Sequence, residues 1–257
     1  MASATSPPIP ARIGRYEVLS LLGRGAMAVV YEARDPALDR KVAIKVLDVR
    51  ELGDTDLAER FLREARAVAR LSHPHIVAVH DVGSEGDLAF MVMELMSGQT
   101  LQQRMPPGQP WPLGAVLPVA GQLLDALACV HAAGIVHRDI KPANVMLDAA
   151  GRVKLADFGV ARVEGAADRT QIGTVIGTPR YMAPEQLSGM TVGPSADLFA
   201  VGALLYRLAT GREAFDGETV FQVMQAVMRG NPAASYAEPM GPMAANSMLG
   251  GAFGSLF

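Results

Sequence analysis

The sequence has few cysteines and a small net charge. Cys129 is the only cysteine among 257 residues, so no internal disulfide framework can form and a reducing location such as the cytoplasm is expected. Its neighbours, LLDALACVHAAG, indicate a buried helix, so we interpret Cys129 as a small core residue and not as a nucleophile. The formal net charge of −3 predicts no broad basic surface and no nucleic-acid partner.

Long hydrophobic runs are also missing. Residues 1–15 contain Ser, Pro and Ala but no apolar stretch behind a basic start, so they predict a disordered arm and not a secretory signal. No segment reaches the about 18 to 20 uninterrupted apolar residues that cross a bilayer. The longest candidate, 198–211, includes Arg207 and predicts a core helix. We therefore expect no membrane span.

The hydrophobic pattern divides the chain into two parts. Strand-like runs separated by turns occupy 16–96, and one helical pattern interrupts them at 54–71. From 97 to 230 the pattern is mainly helical, with long apolar helices expected at 113–133 and 195–210. The predicted fold class is α+β, in which a small antiparallel-sheet lobe precedes a helical lobe. A cleft between two such lobes is a common ligand site.

The run HRDIKPANVML, at 137–147, places several reactive groups on one short stretch, and a DFG sequence follows it. Asp139 can accept a proton from a hydroxyl group, and Lys141 can neutralise a phosphoryl group during transfer. Asn144 and Asp157, the aspartate of DFG, can hold the magnesium that bridges nucleotide phosphates. Few other chemistries need this combination, so the stretch predicts phosphoryl transfer.

The spacing His-Arg-Asp-x-Lys-x-x-Asn resembles the catalytic loop of protein kinases. With HPHIVAVHDVG and GTPRYMAPEQLSG, the chain is most similar to the bacterial, eukaryotic-like serine/threonine protein kinases. The resemblance covers about residues 16–230 and implies a two-lobed kinase fold, ATP, Mg²⁺ with Mn²⁺ as a substitute, and protein substrates. It makes Asp139 the catalytic base and gives the two metal ions to Asn144 and Asp157. A lysine at position 141 is typical of serine/threonine kinases.

Two glycines and a lysine indicate the nucleotide side of the cleft. Gly23 and Gly25 lie between strand-like runs, where backbone amides can cover phosphates, although a plain hairpin is the alternative. Ala28 stands at the third glycine position of the family pattern, so we expect altered loop dynamics without loss of binding. Lys45 needs anions if it is buried, and phosphate oxygens supply them. The resemblance adds Glu64 as its partner; a solvated lysine is the alternative.

The resemblance further implies an adenine site among residues that periodicity alone would assign to the core. Met93 is implied as the gatekeeper, with the backbones of Glu94 and Met96 bonded to adenine. The other residues implied in nucleotide binding are Leu22, Val30, Ala43 and Met146.

Three threonines lie between DFG and APE. By resemblance, Thr178 is the substrate-docking threonine that hydrogen-bonds the catalytic aspartate. Thr170 and Thr174 are candidates for activating phosphorylation, because a phosphate there can pair with Arg138 and order the loop. The alternative is that both are ordinary solvated hydroxyls.

Asp197 follows a proline and begins an apolar helix, so its plain interpretation is an N-terminal cap. By resemblance, it lies beneath the catalytic loop and holds the backbone of that loop. Both roles are compatible at the sequence level.

The resemblance ends after residue 230. Residues 231–257 contain one charge among Gly, Pro, Met and Ala, so they predict a disordered or irregular tail. Family members continue with helices that close the helical lobe and supply an arginine for the APE glutamate, Glu185. We therefore expect an incomplete lobe whose uncovered apolar helices favour self-association. Substitute partners for Glu185 within the chain are Arg207, Arg212 and Arg229.

These features predict ATP-dependent phosphorylation of serine or threonine on proteins, with autophosphorylation as the first reaction. The alternative is a catalytically weak, kinase-like binding module, which the incomplete lobe favours and the intact Lys45, Asp139, Asn144 and Asp157 oppose. Phosphorylation of a small molecule is a third possibility, and the docking sequence GTPRYMAPE weakens it.

Overall fold

The computed structural model describes residues 10–25, 28–48, 55–158 and 179–230, which form a sheet lobe and a helical lobe. The sheet is antiparallel, and its strand order is β1-β2-β3-β4-β6-β5. Its strands are β1 (Arg12–Ile13), β2 (Tyr16–Arg24), β3 (Val29–Asp35), β4 (Arg40–Asp48), β5 (Val79–Glu85) and β6 (Leu88–Glu94). The strand-like runs of the sequence thus become the five longer strands.

Helix α1 (Thr55–Val68) packs against β5 and β6. Its buried side chains are spaced three or four residues apart, which is the period of one helical face, and they are Leu57, Phe61, Ala65 and Val68. The predicted helix at 54–71 is confirmed, and within the described residues it starts at Thr55. This helix brings Glu64 to the sheet lobe in a half-buried position.

The sheet begins earlier than the sequence pattern predicts. Strand β1 pairs with β2, the side chain of Ile13 is fully buried, and the Val18 amide donates to the Ala11 carbonyl at 3.0 Å. The predicted disordered arm at 1–15 is therefore wrong for its last residues. A two-residue strand is too short to show an alternating pattern, so its pairing is visible only in the structure.

The helical lobe contains two long helices at the predicted positions. These are α3 (Leu113–Ala132) and α5 (Pro194–Thr210). The other helices are α2 (Leu101–Arg104), α4 (Pro184–Leu187) and α6 (Val220–Arg229). A small antiparallel sheet that the sequence did not predict joins β7 (Gln99–Thr100), β8 (Val145–Leu147) and β9 (Val153–Leu155). Strands β8 and β9 carry the chain from the HRD run to DFG.

One apolar cluster contains residues of both lobes. It includes Phe61 of α1 and Met91 of β6 from the sheet lobe, and Ala126 and Val130 of α3 together with Phe158 from the helical lobe. A second cluster lies entirely within the helical lobe, between α3, α5 and the small sheet. The shared cluster therefore packs the two lobes against each other.

The prediction of uncovered apolar helices is only partly confirmed. Helix α5 is covered, with Ala200, Leu204 and Leu208 buried, so the expected exposure of this helix is wrong. Helix α3 does expose Leu117, which is 65% accessible, and α6 exposes Phe221, which is 66% accessible. Self-association through this surface stays a prediction.

Among the described residues, one helix, α3, is long and apolar enough to cross a membrane by length and composition. Its side chains Val116, Leu123 and Leu127 are buried in the core of the helical lobe. Core helices of soluble proteins meet the same criteria, so this helix is weak evidence for a span.

Candidate active site

The HRD run folds as a loop between α3 and β8, and three of its side chains converge. Lys141 Nζ lies 2.8 Å from Asp139 Oδ2. Asn144 Nδ2 donates to the same carboxylate oxygen at 2.9 Å and to the Asp139 carbonyl at 2.8 Å. The predicted base, phosphoryl-neutralising lysine and amide are therefore in direct contact. Because its nitrogen faces Asp139, the Asn144 side chain has its amide oxygen available for another contact.

A buried carboxylate from α5 holds this loop. Asp197, which is 1% accessible, accepts the amides of His137 and Arg138 at 2.8 Å each. His131 Nε2 lies 2.8 Å from the same carboxylate. Gly193 occupies the N-cap position of α5, so the predicted capping role of Asp197 is wrong. The role beneath the loop, by contrast, matches these contacts.

His137 links the loop to DFG. Its Nε2 lies 3.1 Å from the Ala156 carbonyl, and its Nδ1 accepts the Asp139 amide at 3.3 Å. Its ring packs against Phe158 with centroids 4.6 Å apart. Burial lowers the pKa of His137, so the ring is neutral at neutral pH. His137 therefore packs against Phe158 and also bonds the backbone on both sides of the site.

Lys45 of β4 and Asp157 meet across the cleft. The Nζ of Lys45 lies 2.9 Å from Asp157 Oδ1, and the lysine side chain is 12% accessible. This ion pair gives a nearly buried ammonium group the anion that it needs. The predicted pairing of Lys45 with Glu64 stays a prediction.

The sheet register aligns the predicted adenine residues with Lys45. Val30 lies opposite Lys45, and Ala43 lies opposite Met93, so these side chains share one face of the sheet. On that face Ala43 and Met93 are buried, and Val30 is half-buried. The remaining predicted nucleotide-binding side chains are half-buried for Met96 and Met146 and exposed for Leu22.

Glu94, at the end of β6, connects the sheet lobe to the small sheet. Its amide donates to the Ala78 carbonyl at 2.9 Å, and its carboxylate lies 2.6 Å from Lys154 Nζ. Because the amide is already bonded, an adenine contact at Glu94 would use its carbonyl oxygen. Met96 follows two residues later, outside the strand.

Gly23 near the end of β2 and Gly25 in the turn that follows are not required by their backbone conformation. A Cβ atom at Gly23 would meet nothing within 4 Å, and neither Gly23 nor Gly25 has a left-handed backbone. The Gly25 amide donates to the Ala28 carbonyl at 2.8 Å, which closes the turn. A missing side chain that the fold does not need is consistent with close approach of a ligand to the backbone.

Comparisons with known proteins identify the family of the chain. The protein kinase domain family matches residues 16–242. The chain belongs to this family. It is 43% identical over 209 residues to the serine/threonine-protein kinase PknL of Mycobacterium tuberculosis, which covers 81% of this chain and 52% of PknL. It is 37% identical over 237 residues to the serine/threonine-protein kinase PrkC of Bacillus subtilis, which covers 92% of this chain and 37% of PrkC. The chain thus spans about half or less of these relatives.

Solved structures show the same kinase fold. The structure of Rad53 in complex with AMP-PNP superposes with a TM-score of 0.70 and 28% identity, and it covers 84% of this chain and 54% of that one. A variant of the PknI kinase domain of Mycobacterium tuberculosis gives a TM-score of 0.67 and 32% identity, with 83% and 80% covered.

Residues 179–187 of this kinase domain lie beside the catalytic loop. Gln186 Nε2 donates to the Arg138 carbonyl at 2.9 Å, so the stretch is tied directly to the HRD sequence. The candidate regulatory residues Thr170, Thr174 and Thr178 lie outside the described residues. Their roles stay predictions.

The structure corrects the proposed partners of Glu185. Arg207 pairs with Glu213 at 2.5 Å and is therefore not a substitute partner. In the described part of the chain, the Glu185 carboxylate accepts a hydrogen bond from Ser195 at 3.4 Å and forms no ion pair. Sequence reasoning missed Glu213 because nothing in its local pattern indicates a partner six residues earlier, on α5.

Proposed function

We propose that this kinase domain transfers the γ-phosphoryl group of ATP to serine or threonine hydroxyls of proteins. The observation that carries the proposal is the contact of Lys141 and Asn144 with the carboxylate of Asp139, opposite the ion pair of Lys45 and Asp157. This arrangement supplies a proton acceptor and two cations where a phosphoryl group passes. The similarity to PknL and PrkC, both named serine/threonine-protein kinases, supports the choice of acceptor.

Asp139 acts as the proton acceptor. The acceptor hydroxyl donates its proton to the carboxylate while its oxygen attacks the γ-phosphorus, and the bond to the leaving ADP oxygen breaks. Lys141, already beside the carboxylate, offsets negative charge on the phosphoryl oxygens. Asp197 keeps Asp139 in place through the backbone of the two preceding residues.

ATP binds on the sheet face that carries Val30, Ala43 and Lys45. The adenine ring packs between the side chains of Val30 and Ala43 on one side and Met146 of β8 on the other. The Lys45 ammonium contacts the phosphates. The open space above Gly23 allows phosphate oxygens to approach the backbone. The Rad53 structure, which superposes on this chain, is a complex with AMP-PNP, and this supports an adenine nucleotide as the ligand.

The donor set of Asn144 and Asp157 fits Mg²⁺. A hard cation prefers oxygen ligands, and magnesium is commonly held by one or two protein side chains together with substrate phosphates. The amide oxygen of Asn144 and the carboxylate of Asp157, which is 38% accessible, supply such ligands. When bound, the ion offsets charge on the nucleotide phosphates. Mn²⁺ has similar ligand preferences and is a substitute.

The decisive experiment compares purified wild-type protein with Asp139→Asn in the presence of labelled ATP and Mg²⁺. The asparagine keeps hydrogen bonding to Lys141 and removes the base, so transfer falls by about 10² to 10⁴-fold. The matched control is Asp148→Asn, which breaks an ion pair with Arg152 in the β8–β9 turn and leaves transfer at the wild-type rate.

A thermal shift separates the two candidate functions. ATP with Mg²⁺ raises the melting temperature of both wild type and Asp139→Asn, because ligand that binds only the folded state stabilises it. A shift without any Asp139-dependent transfer in the wild type would show a kinase-like binding module and refute the enzyme.

We further propose that autophosphorylation is the first reaction and that Thr170 or Thr174 is its target. Phosphate on either residue would supply an anion for Arg138. Mass spectrometry after incubation with ATP and Mg²⁺ tests this, and an active enzyme without phosphate on either threonine contradicts it.

The single, free and half-buried Cys129 supports a reducing compartment.

A further inference from the structure

The two residues proposed to bind Mg²⁺ stand at the two ends of one hairpin. Asn144 directly precedes β8, and Asp157 follows β9 by two residues. The Ala156 amide donates to the Asn144 carbonyl at 2.9 Å, so the two ends lie side by side. Each strand has three residues, so the ladder between them contributes few hydrogen bonds. The position of this hairpin therefore decides where the two ligands meet the ion.

Strand β9 lies at the edge of the small sheet, and partners outside that sheet satisfy its outer backbone groups. The Val153 amide donates to Gln122 Oε1 of α3 at 2.8 Å. The Val153 carbonyl lies 3.0 Å from His75 Nδ1, and the Leu155 amide donates to the His75 carbonyl at 2.9 Å. Val153 is fully buried, so its amide depends on the acceptor that Gln122 supplies.

Gln122 also reaches the turn of the hairpin. Its Nε2 donates to the Gly151 carbonyl at 3.4 Å. The turn is closed internally by Asp148, whose carboxylate accepts the amides of Ala150 and Arg152 at 2.9 Å each. The two side chains therefore have different tasks. Asp148 shapes the turn, whereas Gln122 attaches the hairpin to α3.

We propose that Gln122 is a positioning residue that holds, through the Val153 amide, the hairpin on which the two Mg²⁺ ligands stand. This inference rests on the proposed function. Gln122 lies on α3 of the helical lobe, whereas the sheet face proposed to carry adenine belongs to the other lobe. Changes at Gln122 therefore act on metal binding more strongly than on binding of the metal-free nucleotide.

Two substitutions of Gln122 differ in what they offer the Val153 amide. Gln122→Met keeps the length of the side chain but offers only a thioether sulfur, which is a weak acceptor. Gln122→Glu keeps an oxygen acceptor and loses the donor to Gly151, which makes the longer of the two bonds. A defect in the methionine variant that the glutamate variant lacks therefore assigns the effect to the Val153 amide.

The first readout is the free Mg²⁺ concentration that gives half-maximal transfer to dephosphorylated casein at saturating ATP. Gln122→Met raises this concentration roughly ten-fold, because loss of a group that orients metal ligands commonly lowers metal affinity by about 10- to 100-fold. Gln122→Glu stays within a factor of about two of the wild type. The KM for casein stays within a factor of about two in both variants. Gln225→Met, the same exchange at an exposed position of α6, changes neither value.

The second readout does not depend on transfer. Melting temperatures are measured with ATP and EDTA and with ATP and Mg²⁺, each against the same variant without ligand. ATP with EDTA shifts the wild type and Gln122→Met equally, whereas the additional shift from Mg²⁺ is smaller in Gln122→Met and returns in Gln122→Glu. Hydrogen exchange at the Val153 amide is faster in Gln122→Met and unchanged in Gln225→Met.

The outcomes separate this inference from the proposed function. A wild-type protein without Asp139-dependent transfer refutes the proposed function, and the Mg²⁺-dependent thermal shift then decides the role of Gln122 alone. An unchanged Mg²⁺ requirement and an unchanged Mg²⁺-dependent shift in Gln122→Met refute the positioning role, as does a wild type that shows no Mg²⁺-dependent shift. Equal losses of the shifts with EDTA and with Mg²⁺, without recovery in Gln122→Glu, show general damage to the fold and refute it as well.

Discussion

At the residue scale, His137 shows how burial and hydrogen bonding select one form of a side chain. The Ala156 carbonyl can only accept, so Nε2 carries the ring proton, and Nδ1 is the acceptor of the Asp139 amide. A second proton on Nδ1 would face that amide and break the bond. The neutral ring thus satisfies both neighbours, and burial lowers its pKa in the same direction.

This predicts that His137 makes the protein less stable in mild acid. In the unfolded chain a histidine has a pKa near 6.5, whereas in the fold the pKa of His137 is lower. As pH falls below about 6.5 the unfolded state binds the extra proton, so the free energy of unfolding decreases by up to about 1.4 kcal/mol per pH unit. His137→Gln removes the group that takes up this proton, so the free energy of unfolding of the variant depends less steeply on pH. Urea unfolding at pH 7.5, 6.5, 6.0 and 5.5 measures it.

The difference between wild type and His137→Gln isolates the contribution of His137 to the pH dependence of stability. Burial also lowers the pKa of His80, but that contribution is common to wild type and His137→Gln and cancels in the difference. Equal pH slopes in the two proteins would contradict the argument. The smaller loss of stability of His137→Gln should appear only in acid. At pH 7.5 the variant is less stable than the wild type, because it loses the packing against Phe158.

Single residues differ in how far the sequence could predict them. Asp139, Lys141 and Asn144 lie within six positions of one another, so their spacing already indicates their contact. Tyr181 and Glu213 are separated by 32 positions, and neither belongs to a periodic pattern that would bring them together. Long-range polar pairs of this kind depend on how helices pack, which a single sequence does not reveal.

At the scale of elements, α5 supports a loop with an unfavourable backbone. Arg138 and Asp157 have positive φ values of 66° and 56°, a conformation that costs non-glycine residues roughly 1 to 3 kcal/mol each. The Asp197 carboxylate of α5 bonds the amides of His137 and Arg138 and so compensates the strain at Arg138. Helix α5 is thus the element that makes the catalytic geometry persist.

Asp197→Asn is expected to lower both stability and activity. The asparagine side chain keeps one acceptor oxygen but loses the charge and the second acceptor. One of the backbone N–H groups of His137 and Arg138 is then left with a weaker partner. We expect a loss of about 2 to 3 kcal/mol in the free energy of unfolding and a fall in kcat larger than any change in the KM for ATP. Urea unfolding and steady-state kinetics measure the two effects.

The control for this prediction is Asp125→Asn on α3. Asp125 also lies beside a histidine, His73, at 3.2 Å, but its side chain is 66% accessible. An exposed pair contributes about 0 to 1 kcal/mol, so this change should leave kcat unaltered. If Asp125→Asn and Asp197→Asn had the same effect on kcat, support of the loop by α5 would be excluded.

Long helices and strands are easier to predict from the sequence than short ones. Helices α3 and α5 and strands β2 to β6 contain enough residues for their hydrophobic period to appear, and their predicted positions are confirmed within a few residues. Strands β1, β7, β8 and β9 have two or three residues each and lack such a signal. Their pairing depends on partners that are distant in the chain.

At the scale of the whole molecule, the two lobes are joined by both apolar and polar contacts. The shared cluster places Val130 of α3 against side chains of the sheet lobe. The segment before β5 also bonds β9, since the Val77 amide donates to the Leu155 carbonyl at 3.0 Å and the Leu155 amide to the His75 carbonyl at 2.9 Å. These contacts therefore join the two lobes through side chains and through the backbone.

This joint predicts that the lobes unfold as one unit. Val116 and Val130 are both buried on α3, but Val116 packs only in the cluster of the helical lobe, whereas Val130 packs in the shared cluster. Each substitution to Ala costs roughly 2 kcal/mol. If unfolding is cooperative, Val116→Ala lowers the protection of β4 amides against hydrogen exchange as much as Val130→Ala does, although it does not touch the sheet lobe.

The single tryptophan, Trp111, reports the helical lobe in the same experiment, because it packs against the core of that lobe. Its fluorescence transition in urea should shift by the same free energy as the exchange of β4 in both variants. Separate transitions, or β4 protection that Val116→Ala leaves at the wild-type level, would show that the lobes unfold independently. The contacts between the lobes would then orient them without making them one cooperative unit.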